Sequence, residues 1–529
     1  MQKIILNTTS IEWIKIKKEL IKYYSSLEPR HTIASSLGIK LKYSGYFAMI
    51  PENFDIDAHL TQYPLTNYMF VEDNTGRIKS VPTTGNLDSS LLFDKDRLIY
   101  IIGLISSIPA KNKDSITEDG YVVINSLLIR NAFKDYWSYL DYLIKTDVLC
   151  TDGQYIVGEK SKGYKFTESY SDKPLKRYNY PISQAGVEAI PSEVYSEEDK
   201  TFLRNTVTDF PYLSYWYSVK KLSIDEVAAS HYAYSVMQDK IRNGKESWDI
   251  NRDKSHRNTI IRKDPKTQYH AAQYNIHSIA VGDYKASIDT NVHRLHSVIT
   301  NLQKTYRKFL KFNGNQLINI DVSNSQPYLL CLLLNPLFWD KDSDIPLNIS
   351  MLHQNVQDKF EECQLERIKT YVSSLDRTHK NLVGYINTVS IGQIYEYMAN
   401  VINEARRTNF QKKDIKVMIL TTLFSKNRYM PTCKRYFRMY FPDIYRLIEL
   451  VKEIDYTALA CLLQNIESEI ILHRCCKRIW EKGNGKIPVF TIHDSICTTK
   501  GNENYVKDIM QSILRKNIGI PPFIKEETM

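Results

Sequence analysis

Two acidic residues occupy positions where a carboxylate costs free energy unless it is paired or binds a cation. Asp321 ends the apolar run 317–320, which is typical of a short buried strand, and the polar turn after it can start a helix. As an alternative, Asp321 is a helix N-cap. Asp494 follows His493 between two apolar runs, 487–492 and 495–499. That pattern predicts a hairpin with the acid at its tip.

A third segment, KKDIKVMILTTLFSK at 412–426, places two lysines and an aromatic residue at intervals of a helical turn. Lys412, Lys416, Leu420 and Phe424 share one stripe if this segment is helical. Two lysines followed by an aromatic ring can hold a triphosphate and stack beside a base. The alternative is a helix with a solvated basic end and a buried apolar end.

These three segments together indicate more than each does alone. Two strand-end carboxylates can hold two divalent ions, which activate a 3′-hydroxyl and stabilise a leaving pyrophosphate. Mg²⁺ needs few protein ligands because substrate phosphates and water complete its coordination. Lys412 and Lys416 would neutralise the incoming triphosphate. The combination favours nucleotidyl transfer.

In this order the segments resemble motifs A, B and C of the family A polymerases, which include DNA polymerase I and the single-subunit phage and mitochondrial RNA polymerases. IDVSNSQPYLL is similar to motif A, the K-x₃-K-x₃-L-x₃-F pattern to motif B, and IHDS to motif C. The resemblance implies a right-hand fold of palm, fingers and thumb. It also implies that Asp321 and Asp494 bind two Mg²⁺ ions, for which Mn²⁺ can substitute.

The resemblance assigns further residues to the substrate. Lys412 and Lys416 would hold the triphosphate, and Phe424 would lie beside the sugar and the template base. His493 would lie near the primer terminus. The partners implied are a nucleic-acid template–primer and nucleoside triphosphates.

Two weaker matches extend the resemblance to about residues 290–525. The segment 462–471 resembles the palm helix before motif C, with Gln464 facing the minor groove. The segment 292–310 resembles the stretch that contacts the template–product duplex, with Arg294 as its contact. A basic helix is expected over 298–312, and Lys304 lies on the face that can follow phosphates or simply be solvated.

Several positions depart from the family pattern and bear on the choice of sugar. Ser425 replaces the glycine usual after the motif B aromatic, and Ser495 makes motif C more similar to the RNA enzymes. Gln326 stands where the DNA enzymes have a glutamate that excludes the ribose 2′-hydroxyl, and its bulk can still block ribose. Phe424 lacks the hydroxyl that helps the RNA enzymes select ribose. On balance DNA synthesis is favoured.

Composition agrees with a polyanionic partner. The 529 residues include 70 Lys and Arg against 60 Asp and Glu, a net charge of +10, although a merely soluble basic protein has the same balance. No apolar run is long enough for a transmembrane helix, so no membrane partner is expected. The eight cysteines contain no CxxC pair, and residues 1–24 do not resemble a secretory signal. A cytoplasmic location in a bacterial or phage-infected cell is expected.

The expected fold class is a multidomain α+β polymerase core with a helical, winged-helix-like N-terminal region. That region either docks nucleic acid through the lysines of a hairpin at Asp152-Gly153 or is a packing module that binds nothing. The expected divisions are an α+β region 1–85, a winged-helix-like domain 86–170, a linker 171–200, a thumb-like helical region 201–314, palm 315–345, fingers 346–440 and palm 441–529.

The sequence therefore favours a compact family A-like DNA polymerase of a phage, plasmid or mobile element. No exonuclease motif is recognised in the first 200 residues. Three alternatives stay open: a single-subunit RNA polymerase or primase, a non-catalytic replication initiator that binds DNA, and a hydrolase built around His493 and Asp494.

Overall fold

The computed structural model describes residues 47–64, 68–72, 78–82, 95–126, 129, 136–155, 161–179, 210–252, 260–284, 286–289 and 292–529. Over these residues the chain mixes helices and strands, which confirms the α+β class. Two compact units are present: the first comprises 1–200, 222–285 and 301–310, and the second comprises 201–221, 286–300 and 311–529.

The strands, in chain order, are β1 (Phe47–Pro51), β2 (Tyr68–Glu72), β3 (Ile78–Pro82), β4 (Val122–Val123), β5 (Leu149–Thr151), β6 (Gly163–Phe166), β7 (Leu175–Asn179), β8 (Leu222–Ile224), β9 (Ile250–Arg252), β10 (Ile260–Arg262), β11 (Ala286–Ile288), β12 (Leu295–Ser297), β13 (Leu310–Phe312), β14 (Asn315–Val322), β15 (Phe490–Ile492), β16 (Ser495–Thr499) and β17 (Ile524–Thr528).

The α-helices are α1 (Ile56–Gln62), α2 (Lys95–Lys111), α3 (Tyr136–Lys145), α4 (Pro211–Ser218), α5 (Glu226–Arg242), α6 (Pro265–Ala280), α7 (Val298–Asn301), α8 (Ser325–Leu330), α9 (Gln354–Gln357), α10 (Glu362–Ser373), α11 (Lys380–Ser390), α12 (Ile394–Arg406), α13 (Lys412–Phe424), α14 (Thr432–Tyr440), α15 (Pro442–Val451), α16 (Ala458–Ser468), α17 (Lys477–Lys482) and α18 (Glu503–Ile518). A π-helical segment, Glu469–Cys476, joins α16 to α17.

The first unit has its core around α2, which packs against β1 and α6. A side chain at Gly103 of α2 would come within 2.8 Å of the Ala48 side chain, so glycine allows the close approach to β1. The helix α3 leads into β5, which pairs with β6, and β4 forms the third strand of this small sheet. Two lysines of the expected nucleic-acid hairpin contact the unit itself: Lys162 lies over the ring of Trp137, and Lys165 donates to the Asp119 carbonyl.

Three local expectations need correction. The expected linker 171–200 contains β7, which pairs with β1 in antiparallel register, whereas residues 180–200 lie outside the described ranges. The stretch 251–269 is rich in Lys and Arg, which predicts an exposed basic loop, but it includes β10 and the start of α6, where Asp264 caps the helix. Pro265 at the first helical position suits that start.

The basic helix expected over 298–312 is also wrong. The segment divides into α7, a 3₁₀ turn Lys304–Phe309, and β13. A 3₁₀ turn advances three residues per turn and a strand alternates sides, so Lys304, Lys308 and Lys311 do not share a helical stripe. β13 then turns back into β14 through a hairpin.

The second unit is organised around β14. This strand pairs with β16 on one side and with β17 on the other, and β15 extends the sheet beyond β16. The helix α16 is buried along its apolar side, with Leu459, Leu462 and Ile466 fully inaccessible. The expected strand at 317–320, hairpin at 487–499, and helices at 412–424 and 462–468 are all present.

Candidate active site

The end of β14 brings the two predicted acids together. In the antiparallel register Asp321 stands opposite Ser495, the residue directly after Asp494. The Cα atoms of two residues that stand opposite each other in antiparallel strands are about 4.5–5.5 Å apart. The Cα atoms of consecutive residues, such as Asp494 and Ser495, are about 3.8 Å apart. The Cα atoms of Asp321 and Asp494 therefore lie within about 9 Å of each other. Both residues are half-buried at this end of the sheet, and we refer to the pair as the acidic site.

Tight turns of unusual backbone conformation carry the residues around these acids. His493, in the two-residue turn between β15 and β16, has a φ of 55°, and Asn324, at the start of α8, has a φ of 44°. A non-glycine residue in this left-handed region costs about 1–3 kcal/mol, and such residues cluster at functional sites. His493 is exposed, and its ring centroid lies 6.4 Å from that of His296.

Asp494 has partners from three other segments. The hydroxyl of Ser325, in the first turn of α8, donates to its carboxylate, and the positive charges of Arg294 and Lys416 act on it. Burial raises the pKa of Asp494, and these three partners act in the opposite direction. A divalent cation would act in the same sense as the partners, by favouring the ionised carboxylate.

Beside Asp494 lies a buried carboxylate that sequence reasoning missed. Glu467 of α16 is 2% exposed and accepts two bonds from the Arg294 guanidinium, at 2.6 Å and 2.9 Å. Its second oxygen accepts a bond of 2.6 Å from Nε2 of Gln326. Burial is the main cause that raises the pKa of Glu467 to about 7, and the charge of Asp494 adds to it. An apolar helix pattern gives no signal for such a residue, because its partners lie far away in the chain.

The helix α13 exposes both predicted lysines in its N-terminal half. Lys412 and Lys416 are exposed, whereas Ile415 and Ile419 are buried. Lys412 forms an ion pair with Glu396 of α12, another residue that the sequence did not point to. Lys416, in contrast, lies near enough to Asp494 to act on its carboxylate.

A buried lysine of the same unit binds the C-terminal end of α13. Phe424 is half-buried at this end. Nζ of Lys452, which is 2% exposed, donates to the carbonyls of Thr422 at 2.8 Å and Ser425 at 3.0 Å. Burial lowers the pKa of Lys452 to about 7. Carbonyls at a helix C-terminus attract a positive charge, so this lysine fixes the segment that carries Phe424.

The predicted nucleic-acid contacts Gln464, Arg294 and Lys304 lie in different parts of the chain. Gln464 is half-buried on α16, one helical turn before Glu467 and on the same side of the helix. Arg294 is partly exposed and is paired with Glu467. Lys304 belongs to the first unit, whereas the other predicted site residues belong to the second.

The oxygen atoms near the acids suit a magnesium ion. Across the described ranges no group of three or more His, Cys, Asp and Glu is placed to hold a metal. Two carboxylates are nevertheless enough for Mg²⁺ when phosphate and water supply the other ligands. Ser323 Oγ and Asn324 Oδ1 in the turn after β14, and Gln326 Oε1 in the first turn of α8, are buried without a hydrogen-bond partner in the described part of the chain. Such buried oxygens fit a site that receives a polar ligand or ordered water.

No family model matches the chain, and no curated protein matches it. Among solved structures, the POL domain of Pol1 from M. smegmatis, in complex with a DNA primer-template and dNTP, matches with 10% sequence identity and a TM-score of 0.29. The match covers 65% of this chain and 71% of that one. No helix in the described ranges is long and apolar enough to cross a membrane.

Proposed function

We propose that this chain is a template-directed nucleotidyltransferase that extends a primer, with deoxyribonucleoside triphosphates as its favoured substrates. The observation that carries the proposal is the convergence of Asp321 and Asp494 at the end of one sheet, with Lys416 acting on Asp494. Residues 173 positions apart in the sequence come together there.

Asp321 and Asp494 are the residues that would hold two Mg²⁺ ions. Bound ions of this kind make the primer 3′-hydroxyl a better nucleophile and stabilise the charge of the leaving pyrophosphate. Ser325 donates to Asp494 and keeps its carboxylate oriented while the substrate binds.

Lys416 and Lys412 would hold the triphosphate. The charge of Lys416 acts on Asp494, so this lysine is near enough to the carboxylates to neutralise phosphate oxygens beside them. Lys412 is paired with Glu396, so Glu396 competes with the triphosphate for the Lys412 ammonium. Phe424, at the fixed end of the same helix, would pack beside the sugar and the template base.

Gln326 would stand beside the sugar of the incoming nucleotide. Its carboxamide is bulky and is held by Glu467, so it would oppose a 2′-hydroxyl by occupying the space that this group needs. The right-hand palm, fingers and thumb arrangement and a phage, plasmid or mobile-element origin belong to the same proposal.

Primer extension tests the proposal. A labelled primer–template is incubated with Mg²⁺ and either dNTPs or rNTPs, and the products are compared with those made without metal. We expect metal-dependent extension that follows the template and is faster with dNTPs. Tight binding to the primer–template without extension by either nucleotide set would contradict the proposal and favour a replication initiator. Synthesis from rNTPs on an unprimed template would favour a primase or RNA polymerase.

A further inference from the structure

Glu467 ties together two segments of the second unit that lie far apart in the chain. One of its oxygens accepts from Arg294, 173 residues before it, and the other accepts from Gln326, 141 residues before it. The carboxylate is almost completely buried, and both partners are only partly exposed. Burial of a carboxylate is costly, so its bonds to both partners are needed to hold it there.

The bond to Glu467 determines which way the Gln326 carboxamide faces. Nε2 donates to the carboxylate, and Oε1 is buried without a hydrogen-bond partner among the described residues. While Glu467 is ionised, as it is at pH 8, a reversed carboxamide would place its oxygen against the carboxylate oxygen with no proton between them. Glu467 therefore selects one orientation of Gln326 and limits its rotation.

The other side of Glu467 holds the Arg294 guanidinium by a pair of bonds to one oxygen. Such a pair restricts the guanidinium more than a single bond does. Arg294 is also one of the positive charges that act on Asp494, so the Glu467 carboxylate holds that charge near the acidic site.

We propose that Glu467 is a positioning residue that holds Gln326 and Arg294 in one arrangement beside Asp494, and so sets how strictly the site prefers deoxyribonucleotides to ribonucleotides. The inference rests on the proposed function and assigns a determinant of substrate choice within the same site. Glu467 acts through Gln326, since its own oxygens are occupied.

The test is a double-mutant cycle on sugar discrimination. The ratio of kcat/KM for a dNTP to kcat/KM for the matching rNTP is measured at pH 8 in the wild type, Glu467→Ala, Gln326→Ala and the double variant. A loss of correctly folded enzyme lowers both values equally and cancels in the ratio. Glu481→Ala removes a carboxylate from α17, about 20 Å further along the same continuous helix, and serves as the matched control.

We expect the ratio to fall at least tenfold in Glu467→Ala and in Gln326→Ala, with no further fall in the double variant. Glu467→Gln, which keeps an oxygen for one partner, should retain part of the ratio, and Glu481→Ala should retain all of it. If the wild type extends primers and Glu467→Ala keeps its ratio, or if the two effects add fully, the inference is wrong. If the wild type extends with neither nucleotide, the proposed function fails and the inference fails with it.

If Glu467→Ala does not fold, Glu467→Gln alone tests whether Glu467 affects sugar discrimination. Its ratio must then lie below that of the wild type while its melting temperature stays within a few degrees. An unchanged ratio in a folded Glu467→Gln protein, together with a lowered ratio in Gln326→Ala, would show that Gln326 acts without Glu467.

Discussion

At the end of β14, backbone pairing on both sides holds Asp321, whereas Lys412 and Lys416 are exposed in the N-terminal half of a single helix. The acids are placed by a sheet whose strands cannot shift by one residue without turning every side chain to the other face. The lysine ammonium groups are carried on long, flexible side chains, and that of Lys412 is paired with Glu396.

This difference indicates how binding and chemistry are divided in the proposed site. In the proposed site the sheet would provide a rigid position for the metal ions before any substrate arrives. The exposed end of α13 would adjust as the triphosphate binds, while Lys452 holds the opposite end of this helix. Loss of an acid should therefore remove the chemistry, and loss of a lysine should mainly weaken nucleotide binding.

Removal of either acid is expected to have the largest effect. Asp321→Asn or Asp494→Asn should lower the rate of single-nucleotide incorporation by about 10³-fold or more, because each loses charge that stabilises the transition state. Rapid-quench measurement of one incorporation step gives the rate. Asp508→Asn, an exposed acid on α18, is the matched control and should keep the wild-type rate.

Lys412 and Lys416 should differ in how much each contributes to nucleotide binding. Lys416→Ala should raise KM for the nucleotide roughly tenfold or more, the value of a lost charge-assisted hydrogen bond of about 1.5–3 kcal/mol. Lys412→Ala should raise it less, because Glu396 already neutralises Lys412 in the free protein. Steady-state titration of the nucleotide measures both. An equal rise in KM in both variants would contradict the expectation that Lys416 contributes more to nucleotide binding than Lys412.

The buried lysine at the fixed end of α13 should make stability depend on pH. Its pKa is lowered from 10.5 to about 7, so between these values the unfolded chain binds more protons than the folded protein. The free energy of unfolding should therefore rise with pH, by roughly 2 kcal/mol between pH 7 and pH 9 from this group. Urea unfolding at several pH values measures the slope. Lys452→Met should lose it, and Lys516→Met, an exposed lysine on α18, should keep it.

The smallest effect is expected at Glu396. Glu396→Gln releases Lys412 for the triphosphate and should lower KM for the nucleotide about two- to fivefold, since exposed ion pairs contribute about 0.2–1 kcal/mol. The same titration detects the change. A higher KM in this variant would mean that Glu396 supports substrate binding rather than competing with it.

The sequence is informative where the signal is local. The strand before Asp321, the hairpin at His493-Asp494 and the helix from Lys412 to Phe424 each follow from a short run of side chains with one period. Local patterns also mislead, as at 298–312, where lysines at helical spacing lie in a 3₁₀ turn and a strand because β13 pairs with β14.

The contacts of the site with one another are not visible in the sequence. Glu467 lies in an apolar helix, and its partners are more than 100 residues away, so no periodicity connects them. The pairing of Lys412 with Glu396 depends on how α12 packs beside α13. Such pairings follow from tertiary packing and need the structure to reveal them.

The central claim is that Asp321 and Asp494 form one metal-binding site for nucleotidyl transfer. Binding of Mn²⁺, followed by electron paramagnetic resonance in the presence of dNTP and a primer–template with a dideoxy 3′ end, tests it most directly. The account predicts that the wild type binds Mn²⁺ tightly only with nucleotide present, and that Asp321→Asn and Asp494→Asn each weaken this binding while Asp508→Asn does not. Wild-type Mn²⁺ affinity in both acid variants would contradict it.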